Sequence, residues 1–246
     1  MWCHRRLSYP TQLADGAVAP RSRRVYDTAM ARGRFITFEG GEGSGKSTQA
    51  WLLSERLAAE GIPVRTTREP GGSTFAEHVR NLLLTAATAP KGPLAEALLF
   101  NAARSDHLQE TIRPALADGI WIICDRFADS TRVYQGAAGG LDRSVIDALE
   151  RIVLDDTTPA LTFVLDIDPA VGLARASARR GADVAGAAEG DPYEARQLGF
   201  HQRLRVGFLA IAEADPKRVH VLDGALGQDV LAEQIWLATA ARFALP

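Results

Sequence analysis

Four glycines, a lysine and a hydroxyl lie close together in Gly40-Gly41-Glu42-Gly43-Ser44-Gly45-Lys46-Ser47, a spacing that fits G-x-x-x-x-G-K-[ST]. The glycines let successive backbone N–H groups turn inward around phosphate oxygens. Lys46 can then reach the β- and γ-phosphates, and the Ser47 hydroxyl can bind Mg²⁺, with Thr48 beside it. Asp125-Arg126 follows the apolar run Ile120–Cys124. An Asp there can hold Mg²⁺ through water or orient a nucleophile, and an Arg can grip a phosphate bidentately. Thr67-Arg68-Glu69-Pro70-Gly71-Gly72 is a loop whose turn residues could aim Arg68 inward. Phe100 and Arg104, four residues apart, share a helix face, where a flat apolar plate and a fixed donor suit a planar base, although a Phe so placed also serves a core. A triphosphate cradle and a second anion site together imply phosphoryl transfer.

These groups need strand ends and helix starts to hold them. Phe35–Phe38 reads as a strand that leads through the glycine turn into a helix over about 47–60, which stops at Gly61. Further strands are expected at 63–67, 120–124, 161–165 and 219–222, with helices near 74–84, 93–116 and 142–154 and more beyond 165. Five short strands alternating with helices predict an α/β fold, a five-stranded parallel sheet flanked by helices in three layers. The Gly/Ala-rich stretch 181–190 reads as a mobile loop.

The 246 residues carry 28 basic and 30 acidic side chains, a formal charge of −2. The charge is uneven: residues 1–34 are net +5 and the remainder net −7, so the acidic body argues against a nucleic-acid partner. No apolar run is long enough to span a bilayer. Two cysteines, Cys3 and Cys124, are too few for a disulfide framework, and a reduced, cytoplasmic setting is expected. Residues 1–33 show no periodicity and read as a poorly ordered extension ahead of a single domain over 34–246. Lysine occurs only at 46, 91 and 217, so the guanine-reading Asn-Lys-x-Asp of GTPases is absent.

From Arg34 onward the sequence resembles the bacterial thymidylate kinase family. The resemblance rests on Phe38–Gln49 (FEGGEGSGKSTQ), Thr67–Gly72 (TREPGG), Leu99–Arg104 (LFNAAR), Asp125-Arg126-Phe127 with Ser130–Gly136 (STRVYQG), and Phe200–Arg205 (FHQRLR). It implies a nucleoside-monophosphate-kinase-like P-loop fold, transfer of the ATP γ-phosphate to dTMP with Mg²⁺ giving dTDP, and a homodimer. The resemblance implies that Phe100 stacks on thymine, that Arg104 and Gln135 read its polar edge, and that Thr131 lies beside it. Arg68 and Arg126 would hold the acceptor phosphate with Arg80 nearby, Tyr134 would crowd the sugar 2′ position, and Glu42 would approach the 3′-hydroxyl or the phosphate. Asp125 would act through Mg²⁺ and its waters.

In this family a further cation comes from the phosphate loop or from a lid over ATP. The loop here carries Glu42 and no Arg, so Arg179 or Arg180, in a lid over about 175–194, is the candidate. Family members often carry Asp-Arg-x-Glu after the lid, whereas this chain has Asp191-Pro192-Tyr193-Glu194, in which the Arg is lost. Pro192 predicts a hinged rather than continuously helical lid. Two alternatives stay open: another P-loop nucleoside or nucleotide kinase, and a P-loop regulatory ATPase.

Overall fold

The computed structural model describes residues 32–85, 92–182 and 192–245. The expected extension therefore falls almost wholly outside the described residues, as does 183–191 of the lid. Five strands, β1 (Phe35–Glu39), β2 (Val64–Arg68), β3 (Trp121–Asp125), β4 (Leu161–Asp166) and β5 (Val219–Asp223), form one parallel sheet in the order β2-β3-β1-β4-β5. Each is short and rich in β-branched or aromatic residues, and β1, at the centre, is buried at all five positions.

Alternate residues of the strands feed opposite faces. Ile36, Phe38, Ile123, Phe163 and Leu165 pack with Leu53 and Leu57 of α1 (Lys46–Ala59) and with Ile235 and Trp236 of α9 (Gln228–Phe243). Phe35, Ile122 and Cys124 face the other way, onto Leu108, Ile112 and Leu116. Val164 meets Leu204 and Phe208 of α8 (Leu198–Ala214) on that same side, together with Val133 and Tyr134. The expected three layers result.

The long helix expected over 93–116 is not uniform. α3 (Pro93–His107) passes into a π-helical turn at Leu108–Ile112 before α4 (Arg113–Ala117). Pro114 is the reason: it has no N–H to donate and its ring crowds the carbonyl four residues back, so the backbone widens one turn ahead of it. A second π-helical turn, Arg132–Ala137, follows the short α5 (Ala128–Thr131) and carries Tyr134 and Gln135. The other helices are α2 (Thr74–Leu84), α6 (Arg143–Val153) and α7 (Pro169–Ala182). α2 and α6 are capped by Ser73 and Asp142, whose side chains accept from Ala76 N and Ser144 N.

Candidate active site

The carboxyl ends of β1, β3 and β2 lie side by side, with Phe38 and Arg68 both in register with Asp125. Backbone pairing continues past the strand ends, because Arg126 N–H donates to Phe38 O (2.9 Å) and Glu69 N–H to Asp125 O (3.0 Å). The glycine turn after β1, Asp125-Arg126 after β3 and Arg68 at the end of β2 therefore stand in one row.

Helix α1 opens at Lys46 with neither a side-chain cap nor an acidic residue in its first turn, so its terminal N–H groups and positive dipole end remain available to an anion. Gly40, Gly43 and Gly45 take positive φ values of 132°, 65° and 95°. Gly43 also abuts α7: a Cβ there would come within 2.0 Å of Gly172 O, and one at Gly172 within 2.3 Å of Glu42 O. Ser44 Oγ donates to Gly41 O at 3.0 Å and steadies the turn. Lys46 Nζ lies inside it, donating to Gly41 O (2.6 Å) and Gly40 O (3.2 Å). Burial, joined by the like charge of Arg126, pushes the Lys46 pKa down to about 8 against the pull of Glu42, Asp125 and Glu39. Ser47 Oγ donates to Asp125 Oδ2, bringing the two expected Mg²⁺ ligands together across 78 residues of sequence. Thr48 is exposed on the first turn of α1.

Arg126 has φ 69°, in the left-handed region that a residue with a Cβ seldom enters. It does not pair with Asp125. Its Nη2 donates to Glu42 Oε1 (2.6 Å), its Nη1 to Gly40 O (3.0 Å), and its guanidinium lies 5.0 Å from the Tyr134 ring centroid. Tyr134 Oη donates to the same Glu42 oxygen at 2.7 Å. Burial raises the Glu42 pKa, but Arg126, then Lys46 and the Tyr134 hydroxyl, outweigh it and hold the carboxyl at about 2. Beneath them Glu39 is fully buried, its Oε1 accepting from Phe127 N–H (2.8 Å) and its Oε2 from Ser130 Oγ (2.6 Å). That carboxyl group fixes the turn bearing Arg126. Burial, with Asp129 next, raises its pKa to about 8 despite Ser130, Arg126 and the Phe127 N–H.

Arg68 is half-exposed and pairs with both oxygens of Glu77 at 3.1 Å, whose Oε1 also accepts from Gly72 N–H. Arg80 Nη1 donates to Pro70 O at 2.8 Å, joining α2 to the same loop. Arg104 is 1% exposed and lies 5.2 Å from the Phe127 ring centroid: Nε donates to Glu69 Oε2 (2.7 Å), and Nη2 to Phe127 O (3.2 Å) and Thr131 Oγ1 (3.0 Å). Buried His107 meets Glu69 Oε1 through Nδ1 (3.1 Å) and Thr67 Oγ1 through Nε2 (2.7 Å). Phe100 is half-buried, 6.2 Å from the Tyr193 ring, which is itself 5.8 Å from Tyr134. Buried Gln135 donates to Glu96 Oε2 at 2.8 Å.

α7 carries Arg175, Arg179 and Arg180. Arg175 Nη1 donates to Gly224 O (2.8 Å) in the loop after β5, and Arg179 is exposed, whereas the Arg180 side chain lies outside the described residues. Residues 192–195 form turns that precede α8. The structure brings the sequence-named Lys46, Ser47, Asp125, Arg126, Glu42 and Tyr134 together, buries Arg104, Thr131 and Gln135, and adds partners that the sequence did not point to: Glu39, Glu69, Glu96, His107, Tyr193 and Arg196. One signal was readable, since Glu96, Phe100 and Arg104 recur every four residues and so share one face of α3.

The chain matches the family model described as thymidylate kinase over residues 38–235. The thymidylate kinase of Nitrobacter winogradskyi is 52% identical over 207 residues, 84% of this chain and 88% of that protein. That of Caulobacter vibrioides is 52% identical over 194 residues, 79% and 89% of the two chains. The crystal structure of thymidylate kinase from Ehrlichia chaffeensis has a TM-score of 0.66 at 36% identity, covering 85% of this chain and 98% of that one. The phosphate loop and the arginine-bearing strand ends in one row beside it thus coincide with relatives aligned over nearly their whole length, and the chain belongs to the thymidylate kinase family.

Proposed function

We propose that the chain transfers the γ-phosphate of ATP to the 5′-phosphate of dTMP, giving dTDP. The observation that carries this reading is the place of Arg126 beside the phosphate loop, where it is held by Glu42 and Gly40 O; a guanidinium there supports a second phosphate, which a protein that binds ATP alone does not need. A phosphate monoester is already nucleophilic near neutral pH, so no covalent intermediate is needed, and the protein's task is to juxtapose two polyanions and offset charge on the group in transit. The loop amides of residues 40–48 and Lys46 hold the donor phosphates. Arg126 and Arg68, with Arg80 steadying the loop between them, hold the acceptor phosphate, Arg126 exchanging a Glu42 contact for a phosphate oxygen.

Phe100 stacks on the base, Arg104 and Gln135 read its edge, and Thr131 fixes Arg104. Tyr134 crowds the 2′ position and Glu42 faces the sugar or phosphate. Arg179 or Arg180 adds charge from the lid over 175–194. The oxygen donors Ser47 and Asp125 suit a hard cation. Among the described residues no cluster of three acidic, His or Cys side chains could cage one, so phosphates and water supply its other ligands, as Mg²⁺ prefers. Bound there, Mg²⁺ would neutralise phosphate charge.

A cytoplasmic homodimer with no nucleic-acid or membrane partner completes the reading. Exposed Phe75, Leu82, Leu94, Leu98 and Ile152 on the neighbouring helices α2, α3 and α6 would be covered by a second copy, and no described helix is long and apolar enough to cross a membrane. Arg126→Ala tests the reading: dTDP formation should fall by about 10³-fold or more with ATP binding largely intact, whereas loss of ATP binding would favour a regulatory ATPase. Equal use of dTMP, dCMP, dAMP and thymidine by the wild type would favour a different kinase.

A further inference from the structure

Two cross-links join α3 to the segment Ala128–Ala137 on either side of Phe100. One is Arg104 Nη2 to Thr131 Oγ1 (3.0 Å), and the other is Gln135 Nε2 to Glu96 Oε2 (2.8 Å). Glu96, Phe100 and Arg104 occupy successive turns of α3, and Thr131 and Gln135 are likewise four residues apart. The base pocket proposed around Phe100 is therefore bounded by Arg104 with Thr131 and by Gln135 with Glu96.

A side-chain amide has a donor end and an acceptor end, and the neighbour decides which end faces where. Glu96 is a carboxylate that only accepts. Its other oxygen, Oε1, takes Arg196 Nη2 at 2.8 Å, and that guanidinium lies 4.5 Å from both the Tyr193 and the Phe200 ring centroids. Glu96 is thus held from both sides and faces Gln135 with an acceptor. Gln135 must turn its –NH₂ toward Glu96, leaving its Oε1 opposite, where it accepts from no described group. At 1% exposure the amide has little water to compensate a flip. Arg104 can only donate, and its Nη1 has just one long contact, 3.5 Å to Asn101 Oδ1.

We propose that Glu96, itself fixed by Arg196, is a positioning residue that sets acceptor-base selectivity by locking the Gln135 amide oxygen toward the base. The pocket then presents a donor (Arg104) and an acceptor (Gln135 Oε1), the complement of the carbonyl and ring N–H of a thymine- or uracil-type base. A cytosine-type base offers an amino group and a bare ring nitrogen, reversed at both positions, and leaves buried groups unpaired. This proposal rests on the reading above that Gln135 faces the base.

The test compares kcat/KM for dTMP and 5-methyl-dCMP, which share the methyl group and differ at that edge, in the wild type, Glu96→Gln, Arg196→Met and Gln135→Leu, with the ATP KM and Tm measured alongside. An amide at 96 can donate or accept, so Gln135 is no longer locked. Glu96→Gln should lower the dTMP to 5-methyl-dCMP ratio about tenfold or more, through a raised KM for dTMP and improved use of the analogue, with the ATP KM unchanged. Arg196→Met should shift the ratio less and in the same direction, and it decides the matter if Glu96→Gln does not fold. A wild-type ratio in folded Glu96→Gln overturns the proposal. If Gln135→Leu lowers the ratio while the other two leave it alone, only the role of Glu96 fails. If Gln135→Leu leaves it unchanged, the base-reading role of Gln135 fails with it.

Discussion

The contact between the phosphate loop and the first turn of α7 offers a sharp test, because it has no side chain on either side. A Cβ at Gly172 would stand 2.3 Å from Glu42 O and 3.3 Å from Ile167 Cγ2, where ordinary contact begins at 3.4 Å. Gly172→Ala must therefore push the loop and α7 apart by about 1 Å, and a misplacement of that size can cost about 10²-fold in rate. Stability should change far less. Overpacking costs about 1–3 kcal/mol, while Ala is better than Gly inside a helix by roughly 1 kcal/mol, so the net loss is at most about 2 kcal/mol and the Tm falls by no more than about 8 °C. Steady-state dTDP formation at 25 °C and a thermal melt on the same preparation measure both. The kcat/KM should drop about a hundredfold in protein that is still folded. A Gly172→Ala enzyme within about twofold of wild type, or an activity loss matching only the fraction unfolded, would show that the contact does not position the loop.

Three other outcomes follow from the buried charges. Because Lys46 is protonated only below about 8 in the free protein, and phosphate binding requires its charge, ATP affinity should weaken as pH rises above that value. Calorimetry in buffers of different ionisation enthalpy should detect proton uptake on ATP binding there; affinity that stays flat to pH 9.5 counts against it. Glu39 stays protonated in the fold up to about 8 but ionises near its ordinary 4.5 in the unfolded chain, so its contribution is most favourable at low pH and is lost as pH rises through that window. Glu39→Gln should accordingly gain on wild type in urea unfolding from pH 5 to 8, by at most about 1.4 kcal/mol per pH unit, and a gap independent of pH would contradict this. Glu69→Gln leaves Arg104 without its buried counter-charge and should cost about 3 kcal/mol in unfolding free energy while raising the KM for dTMP; unchanged stability would show that the pair is dispensable.

The sheet was legible because its inner strands are largely apolar runs, such as Phe35–Phe38 and Ile120–Cys124, and because the edge strands β2 and β5 keep β-branched residues between turn signals. The phosphate loop was legible because only a few residue types can form it. The π-helical turns were not, since periodicity alone continues through Leu108–Ile112 and supports the single helix expected over 93–116. The residues behind the site were harder still. Glu96, Glu69 and Glu39 look like surface carboxylates in a sequence, and only the packing of α3 and of the loop after β3 shows what they hold. Arg126 was expected to meet a phosphate, and its partnership with Glu42 and Tyr134 joins segments 84 and more residues apart, which no local pattern records.

The ladder that runs without a break from Phe38 through Asp125 to Arg68 makes the sheet a ruler. Adjacent parallel strands lie about 4.8 Å apart, so the interval between the strand ends that carry the donor cradle and Arg126 is set by backbone hydrogen bonds, while Gly172 and Glu39 hold the turns beyond those ends in place. The base pocket proposed above hangs on α3 and the turn carrying Gln135, and it is tied to the strand ends through Arg104, which donates to Glu69 and to Phe127 O. Glu96, Phe100 and Gln135 make none of those ties, so an engineer could recast them to admit a different base and still inherit a transfer distance that was never encoded in those residues.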